Sequence, residues 1–400
     1  MKIGIIREGK VPPDKRVPFT PLQCRHIMDH MRGLEVFVQP SPIRCFPDVD
    51  YTRLGIPLKE DLSGCDVLMG VKEVPRKELI PGKTYFIFSH TIKKQPYNRE
   101  LLREMIEKNI QLVDYEVLTD STGMRIIGFG RFAGVVGAYN GLKAYGQRHQ
   151  LWFLKPAWQC RNKNELIEEL KTVKLTPMRI VVTGGGRVAG GVLEILEAAA
   201  VKQLPVEKFL AGENCDGPVF VRLDPGDYNE HKEGQPFDLR HFFNHPTHYQ
   251  GTFRRFLPKT DLLIGAAFWD PKAPVLFSPE DTRQPGFRTK IIADITCDID
   301  GSIPTTRKAT SIDKPFYDID PKSFKIYPPF SGEAHITVMA VDNLPCELPV
   351  DASHDFGKTL IDKVLPCLTG DDPDNIIGRA SITKNGKLTE KFGYLQEWVD

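Results

Sequence analysis

The chain has 400 residues, a length at which one hydrophobic core has stopped growing, so two domains are expected. Hydrophobic residues make up 41% and charged residues 26%, which is typical of a globular protein and excludes a largely disordered chain. Because 53 basic residues balance 52 acidic ones, neither nucleic acid nor an anionic membrane surface is an expected partner.

The sequence carries no clear secretory or membrane-spanning signal, and its cysteines are not spaced for disulfide bonds or a zinc site. The first residues, MKIGIIR, have the pattern of a buried strand and lack the apolar run of a secretory signal. No apolar stretch approaches the roughly 20 residues needed to cross a bilayer. The eight cysteines are scattered, which favours free thiols in a reducing compartment over a disulfide framework or a structural zinc site. The sequence therefore predicts a cytoplasmic protein without a membrane partner.

The first part of the chain alternates short apolar strands with amphipathic helices, which indicates a mostly parallel sheet. Strands are predicted at 2–7, 34–39, 66–71, 84–88, 113–118 and 125–129, and helices at 21–31 and 98–108. Small residues then recur at 132–139 and predict a closely packed helix that crosses between domains, although a plain buried helix is equally compatible with these residues.

A second alternating region begins near residue 178. Strands are predicted at 178–183, 206–211, 261–267 and 290–295, and helices at 187–200 and 356–368. The less regular stretch 214–258 is interpreted as an insertion or flap.

The most informative motif is the run IVVTGGGRVAG at 180–190. An apolar strand leads into a loop with the spacing G-x-G-x-x-A, formed by Gly184, Gly186 and Ala189, and a helix follows at once. Glycines there let a pyrophosphate approach the backbone at the positive end of the helix. Three glycines alone could form a structural turn, but the strand before and the helix after favour a dinucleotide-binding loop.

The choice between NAD and NADP depends on an acid at the end of the next strand. We predict that strand at 206–211 and the acid at Glu213, whose carboxylate would bind the ribose hydroxyls and repel the phosphate of NADP. Its spacing from the loop exceeds the usual value of about 20 residues, and Asp224 is an alternative acid. Arg187 could instead favour a phosphate. NAD is the expected cofactor and NADP the alternative.

Two ionisable residues follow neighbouring strands of the first region. Lys72 comes at the end of the strand at 66–71, and His90 at the end of the strand at 84–88. Open parallel sheets bind ligands at these strand ends, and a lysine in an apolar cleft has a lowered pKa and can act as a base. Either residue alone could be an ordinary surface group, but the pair indicates acid–base chemistry.

Six runs occur in a fixed order along the chain: FSHTIKKQ (88–95), VDYE (113–116), GFGRFAG (128–134), ADITCDIDGSI (293–303), VDNLP (341–345) and LP (348–349). Together they resemble the lysine-forming saccharopine dehydrogenases and, equally, the lysine–2-oxoglutarate reductase domain of the bifunctional lysine-degradation enzyme. The resemblance implies an α/β fold similar to alanine dehydrogenase, with two Rossmann-like domains, parallel sheets and an interdomain cleft. Residues 1–134 and 343–400 would form the substrate domain, and residues 135–342 the dinucleotide-binding domain.

The same resemblance implies roles for individual residues. Lys72 and His90 match the acid–base pair of the family, and Glu73 and Glu116 match carboxylates that tune the pKa values of that pair. The substrate contacts are matched by Arg16, Gln95, Arg125 and Phe129. The cofactor contacts are matched by Gly184, Gly186, Arg187, Glu213, Asp294, Val341, Asp342, Asn343 and Leu344.

The implied reaction is the NAD-linked cleavage of saccharopine to L-lysine and 2-oxoglutarate, or its reverse. Saccharopine carries three carboxylates, which suits arginine-rich binding. The chain departs from the fungal enzymes at Val188, where they have a cysteine, and in its longer 214–258 stretch.

Other functions are compatible with the same residues. An NADPH-dependent lysine–2-oxoglutarate reductase would use nearly the same site. A related enzyme that reduces a simpler imine would not require the matches at Gln95, Arg125 and Phe129. A non-catalytic nucleotide-binding regulatory protein would be expected to lack Lys72 or His90, and both are present.

A metal site is not expected from the sequence. His241, His245 and His248 have a spacing that one helix face could present, but Pro246 interrupts such a helix. No carboxylate or thiol partner stands out nearby, so these histidines are interpreted as loop or surface residues.

Overall fold

The computed structural model describes residues 1–213 and 216–400. These residues form two compact units, one built from 1–129 and 349–400 and the other from 130–348. The boundaries lie a few residues from the predicted divisions at 134 and 343. The seven cysteines among the described residues are free thiols, and Cys215 lies outside the described residues.

The first unit, called unit 1, consists mainly of a seven-stranded sheet and its covering helices. Its first segment contains β1 (Lys2–Ile5), α1 (Pro21–His30), β2 (Glu35–Val38), α2 (Asp48–Arg53), β3 (Val67–Met69), β4 (Thr84–Ile87), α3 (Pro96–Glu107) and β5 (Gln111–Asp114).

The second unit, called unit 2, follows in the chain and contains most of the remaining strands. Its helices are α4 (Gly130–His149), α5 (Lys163–Lys171), α6 (Arg187–Ala198), α7 (Val206–Ala211), α8 (Pro225–Tyr228) and α9 (Leu239–Asn244). Its strands are β6 (Arg179–Thr183), β7 (Lys202–Gln203), β8 (Val219–Leu223), β9 (Asn229–His231), β10 (Tyr249–Gly251), β11 (Leu262–Gly265), β12 (Ile291–Asp294), β13 (Phe316–Ile319), β14 (Ile326–Tyr327) and β15 (Ile336–Met339).

The chain then returns to unit 1. This last segment contains α10 (Pro349–Thr359), a π-helical turn (Leu360–Val364), α11 (Leu365–Thr369), α12 (Ile376–Ala380), β16 (Ser381–Lys384), β17 (Lys387–Leu388) and α13 (Gln396–Val399). No helix among the described residues is both long enough and apolar enough to cross a bilayer.

Both large sheets are mostly parallel, as predicted. In unit 1 the strand order is β17-β16-β5-β4-β3-β1-β2, and β1 to β5 pair in parallel. In unit 2 the order is β14-β13-β15-β12-β11-β6-β8-β7, with β13 and β14 antiparallel. The chain leaves β6 for β8 on one side and later adds β11 on the other side. The strand order therefore reverses at β6, and open α/β sheets bind ligands beside such a reversal.

The predicted strand at 206–211 is wrong. These residues form helix α7, which follows Pro205 and ends at Gly212 in the left-handed conformation (φ 73°). Proline before a helix and glycine after it are the signals of a helix, and they decide the structure of this short apolar run. The strand beside β6 is instead β8, within the stretch that was interpreted as an insertion.

The predicted strand at 125–129 is also absent. Arg125 makes one isolated antiparallel bridge to Thr119, and the following residues are extended without a ladder. The two apolar residues 126 and 127 instead pack on the core of unit 1.

The predicted small-residue helix is present and longer than expected, because α4 continues to His149. It packs closely on α6. A Cβ atom built on Gly191 of α6 would overlap the carbonyl oxygen of Arg131 in α4, and one built on Gly134 would overlap the carbonyl oxygen of Val188. Glycine at these positions therefore sets the distance between the two helices.

Gly191→Ala should lower the stability of the protein by about 1–3 kcal/mol, because the methyl group must push α4 and α6 apart. The adjacent Gly190→Ala is a matched control, since a Cβ there meets nothing within 4 Å. Alanine at that position should stabilise the helix by roughly 0.5–1 kcal/mol. Thermal unfolding of both variants checks this, and equal melting temperatures would contradict the close packing.

Candidate active site and dinucleotide-binding loop

Five ionisable side chains of unit 1 follow the carboxyl ends of four parallel strands. Glu8 follows β1, Lys72 and Glu73 follow β3, His90 follows β4, and Glu116 follows β5. Since these strands are adjacent in the sheet, one edge collects all five side chains. The predicted placement of Lys72 and His90 on neighbouring strands is confirmed.

His90 is oriented by a carboxylate. Its Nδ1 lies 2.6 Å from Oε1 of Glu73, and the side chains are 16% and 12% exposed. Burial would raise the pKa of Glu73, but the hydrogen bond and charge of His90 lower it to about 2. Lys10 lies 3.3 Å from the other oxygen of Glu73. The carboxylate thus remains ionised and fixes the ring, as in many acid–base sites.

Lys72 lies among cations in a poorly hydrated position. Burial is the main cause of its lowered pKa, and the charges of Arg16 and Lys10 lower it further. Each effect disfavours the ammonium form. A lysine that loses its proton more readily than usual can accept one from a substrate.

Glu8 is a member of this group that the sequence analysis missed. Its two oxygens accept hydrogen bonds from the backbone N–H groups of Val71 (2.6 Å) and Lys72 (2.9 Å), which fixes the chain where Lys72 begins. Burial, followed by the charge of Asp14, raises the pKa of Glu8 to about 8. Its position after β1 follows the same strand-end rule that identified Lys72, so that rule could have found it.

Arg16 is buried and already paired within unit 1. Its guanidinium donates to both oxygens of Asp14, at 3.0 and 2.6 Å, and both residues are 2% exposed. Burial opposes ionisation of Asp14, but the charge and hydrogen bonds of Arg16 hold its pKa well below the usual range. The guanidinium carbon lies 4.0 Å from the centre of the Phe129 ring, which stacks on Phe356 of α10. Arg16 and Phe129, both predicted substrate contacts, thus lie against each other.

Arg125 is the more exposed predicted arginine. Its side chain is 43% exposed, lies 4.0 Å from Oε1 of Glu116, and has its guanidinium over the ring of Phe88. Lys93 lies 3.1 Å from the same Glu116 oxygen. The other oxygen, Oε2, is buried and has no hydrogen-bond partner in the part of the chain that the structure describes.

Gln95, the remaining predicted substrate contact, precedes α3. Its side-chain oxygen accepts a hydrogen bond from the hydroxyl of Tyr97.

Asp114 holds the loops that carry His90 and Glu116. One of its oxygens accepts from the N–H and hydroxyl of Ser89, and the other accepts from the N–H of Glu116 at 2.7 Å. His90 itself is left-handed, with φ 53°. This buried carboxylate therefore joins the backbone directly before His90 to the backbone at Glu116. We interpret Asp114 as a positioning residue.

The glycine-rich loop of unit 2 has the predicted form. β6 ends at Thr183, Gly184 turns with φ +96°, and α6 begins after Gly186. A Cβ on Gly184 would lie 3.0 Å from the backbone of Ala266 and Ala267, whereas Gly186 is open. The first N–H groups of α6, beginning at Arg187, are thus accessible to an anion.

The two candidate acids, Glu213 and Asp224, lie at opposite ends of the strands of unit 2. The carbonyl of Glu213 accepts a hydrogen bond from Arg179, the first residue of β6, so Glu213 lies at the amino ends of the strands. A five-residue strand, about 15 Å long, separates that edge from the loop. Asp224 directly follows β8, and a Cβ on Gly185 would lie 2.6 Å from its carboxylate. The expectation that Glu213 faces the loop is corrected, because the strand next to β6 is β8.

Asp224 is paired with an arginine two residues earlier. Arg222 donates to its two oxygens at 2.6 and 2.8 Å. An anionic and a cationic side chain thus lie together beside the loop. In such a pair, the aspartate can bind ribose hydroxyls, and the arginine can bind a phosphate.

The other predicted cofactor residues follow neighbouring strand ends. Asp294 ends β12 and is 1% exposed; its oxygens accept hydrogen bonds from Thr296 and Thr306, and burial raises its pKa. It therefore fixes the loop after β12. The segment Val341, Asp342, Asn343 and Leu344 follows β15, which pairs in parallel with β12.

A small pocket of about 30 Å³ lies at these strand ends in unit 2. Thr183, Gly265 and Thr296 line it from the sheet. Phe242, Phe243 and Pro246 line it from the segment around α9.

Comparisons with known proteins agree with this architecture. A sequence model of the alanine dehydrogenase/PNT N-terminal domain matches residues 4–136. A solved L-alanine dehydrogenase superposes over 100% of this chain and 99% of its own, with a TM-score of 0.64 and 17% identity. The likeness confirms the predicted fold, an α/β chain with two Rossmann-like units.

Two kinds of curated relatives match nearly the whole of this chain. The alpha-aminoadipic semialdehyde synthase of Arabidopsis thaliana is 30% identical over 98% of this chain and 41% of its own length. The saccharopine dehydrogenase [NAD(+), L-lysine-forming] of Yarrowia lipolytica is 24% identical over 91% of this chain and 92% of its own. The chain is thus similar both to semialdehyde synthases and to lysine-forming saccharopine dehydrogenases, and its residues 4–136 match the alanine dehydrogenase/PNT N-terminal domain. It spans less than half the length of the semialdehyde synthases that it matches.

The raised pKa of Glu8 predicts that the stability of the folded chain depends on pH. Its pKa is raised from 4.5 to about 8 in the folded chain, so the native state binds a proton that the unfolded state has lost. The stability that Glu8 contributes is therefore complete below about pH 4.5 and falls as pH rises through about 8, by at most roughly 1.4 kcal/mol per pH unit. Melting temperatures between pH 5 and 9 should decline less for Glu8→Gln than for the unmodified chain.

The exposed Glu60→Gln provides the control for that measurement, since Glu60 is 65% exposed beside Arg7. Loss of one acceptor oxygen at Glu8 lowers stability at every pH, so the slope is the readout. Parallel curves for Glu8→Gln and the unmodified chain would contradict the raised pKa.

Proposed function

We propose that the chain is a nicotinamide-dependent oxidoreductase that interconverts saccharopine with L-lysine and 2-oxoglutarate. The observation that carries the proposal is the group at the strand ends of unit 1. There, Lys72 has a lowered pKa and His90 is hydrogen-bonded to an ionised Glu73. Oxidation of a secondary amine, addition of water to the imine and collapse of the carbinolamine each move a proton, and such a pair can exchange those protons.

The charges around this pair suit a substrate with several carboxylates. Arg125 is partly exposed, and Lys93 lies beside it on Glu116. Both can turn to a substrate carboxylate, and arginine can bind it through two parallel hydrogen bonds. The buried Oε2 of Glu116 is an acceptor suited to a substrate ammonium group. Arg16, paired with Asp14, would contribute mainly positive potential and its stacking on Phe129.

A dinucleotide fits the residues of unit 2. Gly184 and Gly186 leave the backbone accessible, the N-terminus of α6 favours a pyrophosphate, and Asp224 lies where an acid can bind the ribose. When bound, the nicotinamide would supply or accept the hydride. The protein's own part is to bind the pyrophosphate and ribose, beside a pocket that has aromatic residues in its wall.

The first test is a reduced-nicotinamide absorbance assay with saccharopine and NAD or NADP, then with lysine and 2-oxoglutarate. Lys72→Met and His90→Gln should each lower turnover by about 10²–10⁴-fold, because each removes a proton-transferring group. Dinucleotide affinity should be almost unchanged, since neither residue belongs to unit 2.

Lys108→Met and His26→Gln serve as matched controls on the surface of the same unit. Lys108, which directly follows α3, pairs with Glu104, and His26 stacks on His30. Full turnover in either Lys72→Met or His90→Gln would remove that residue from the mechanism. No turnover of any of these substrates by the unmodified chain would refute the proposal.

A second candidate is an NADPH-dependent lysine–2-oxoglutarate reductase, which would use the same acid–base pair. It is favoured by the higher identity to the semialdehyde synthases and by Arg222, a cation beside the loop that could bind a 2′-phosphate. We propose NAD as the preferred cofactor, because the charge of Asp224 neutralises Arg222.

Variants of the two acids test this preference. Asp224→Asn should raise the ratio of NADP to NAD efficiency about 10-fold or more, because loss of one charged hydrogen bond costs roughly 1.5–3 kcal/mol and Arg222 gains a free charge. Glu213→Gln should leave the ratio unchanged. Steady-state kinetics with both cofactors measure it, and the opposite pattern would reinstate Glu213 as the discriminating acid.

A further inference from the structure

The segment from β9 to β10 gathers histidines that the proposed reaction does not use. His231 ends β9, His241 lies in α9, and His248 directly precedes β10. One ligand nitrogen from each of them lies within 4.8 Å of those from the other two. His231 is 6% exposed, His241 is partly buried and His248 is exposed. The three side chains thus form a cluster that is open to solvent on one side.

We propose that His231, His241 and His248 bind one divalent transition-metal ion, with Zn²⁺ as the best fit. Neutral imidazole nitrogens suit zinc, copper and nickel, and three histidines with an open fourth position form a known type of zinc site. Zinc–nitrogen bonds of about 2.0–2.1 Å place tetrahedral ligands roughly 3.3 Å apart. Small side-chain rotations would bring nitrogens from within 4.8 Å to that separation.

Hydrogen bonds prepare His241 as a ligand. The hydroxyl of Tyr249 donates to the carbonyl of Asp238 and can therefore accept from Nδ1 of His241, 3.0 Å away. That bond places the ring proton on Nδ1 and leaves Nε2 as a lone-pair donor. Metal-binding histidines usually have such an outer partner, which fixes both tautomer and orientation.

His231 is held only loosely through its ring nitrogen. Its Nδ1 accepts from the N–H of Glu233 at 3.3 Å, a long bond that metal binding can replace. The backbone supports its position, because Tyr249 is its direct partner across the β9–β10 pair and Lys232 donates to the carbonyl of His248 at 3.0 Å. The hairpin therefore keeps His248, directly before β10, close to His231 at the end of β9.

The hairpin explains why the sequence did not predict this site. Pro246 does exclude a single helix that would carry His241, His245 and His248, and α9 ends at Asn244. The cluster instead combines a strand, a helix and a turn. His231, ten residues before His241, becomes a member only through strand pairing.

A metal ion would also stabilise a segment with little core of its own. The buried hydrophobic residues of its small cluster are Phe242, Tyr249 and Ala273. Small cores of this kind commonly need a disulfide or a metal ion. Since Phe242, Phe243 and Pro246 also line the pocket at the strand ends, the ion would fix one wall of that pocket. Metal binding does not depend on the proposed reaction; only this effect on the pocket does.

The experiment is a titration of the untagged, chelator-treated chain with Zn²⁺, and with Co²⁺ for its visible absorption. One ion per chain is expected, and it should raise the melting temperature. His241→Gln and the exposed His248→Gln should each abolish stoichiometric binding and the melting shift. Tyr249→Phe should weaken Zn²⁺ binding about 10–100-fold, as loss of an outer partner does.

The double variant His26→Gln/His30→Gln is the matched control, because this stacked pair on α1 could also attract a metal. It should retain the ion, and melting without metal shows that each variant is folded. No stoichiometric binding by the unmodified chain, or binding that survives His248→Gln, would overturn the proposal. Loss of the ion together with unchanged saccharopine turnover would separate the metal site from the proposed function.

Discussion

Parallel pairing of adjacent strands is the constraint on which the candidate active site depends. β1, β3, β4 and β5 run in the same direction, so the residues after them lie at one edge of the sheet. The strand interiors are buried and mostly apolar, so the ionisable side chains of the site come mainly from residues that follow the strands. Chemistry at this edge is therefore a consequence of the fold, and the identity of the residues decides which chemistry it is.

Charges at that edge are arranged as coupled pairs. Asp14 neutralises Arg16, and Glu73 holds His90, while Lys72 lacks a comparable carboxylate contact among the described hydrogen bonds and ion pairs. Because burial penalises an unpaired charge, the pKa of Lys72 is lowered, and its proton is easier to remove than that of an ordinary lysine. The acids are thus as necessary as the base, because Asp14 pairs with Arg16 and Glu73 orients His90, whereas Lys72 has no such partner among the described contacts.

Local signals predicted more of the structure than long-range ones. The strand ends at Lys72 and His90 and the loop at Gly184 could be read because each depends on a few consecutive residues. The short run 206–211 could not be assigned by periodicity, since a six-residue apolar segment fits a strand or a helix equally well. That error moved the expected acid from Asp224 to Glu213, because the second strand fixes which residue follows it.

Contacts between distant residues could not be predicted from the sequence. The bonds from Glu8 to the backbone at Val71 and Lys72 join segments that are far apart in the chain, and only the sheet order brings them together. The bond from Asp114 to Ser89 has the same origin. Such bonds do not alter hydropathy patterns, yet they fix the positions that catalysis requires.

In unit 2, the carboxyl ends of the strands carry both the glycine-rich loop and the segment that contains the histidine cluster. Gly184 and Asp224 lie at the carboxyl ends of β6 and β8, and the chain after β8 continues into the segment of α8, β9, α9 and β10. That segment supplies the aromatic wall of the pocket and the histidine cluster. The cluster of buried hydrophobic residues in this segment is small. Any ion or bond that orders the histidines therefore also orders the pocket wall, since Phe242 directly follows His241 in α9.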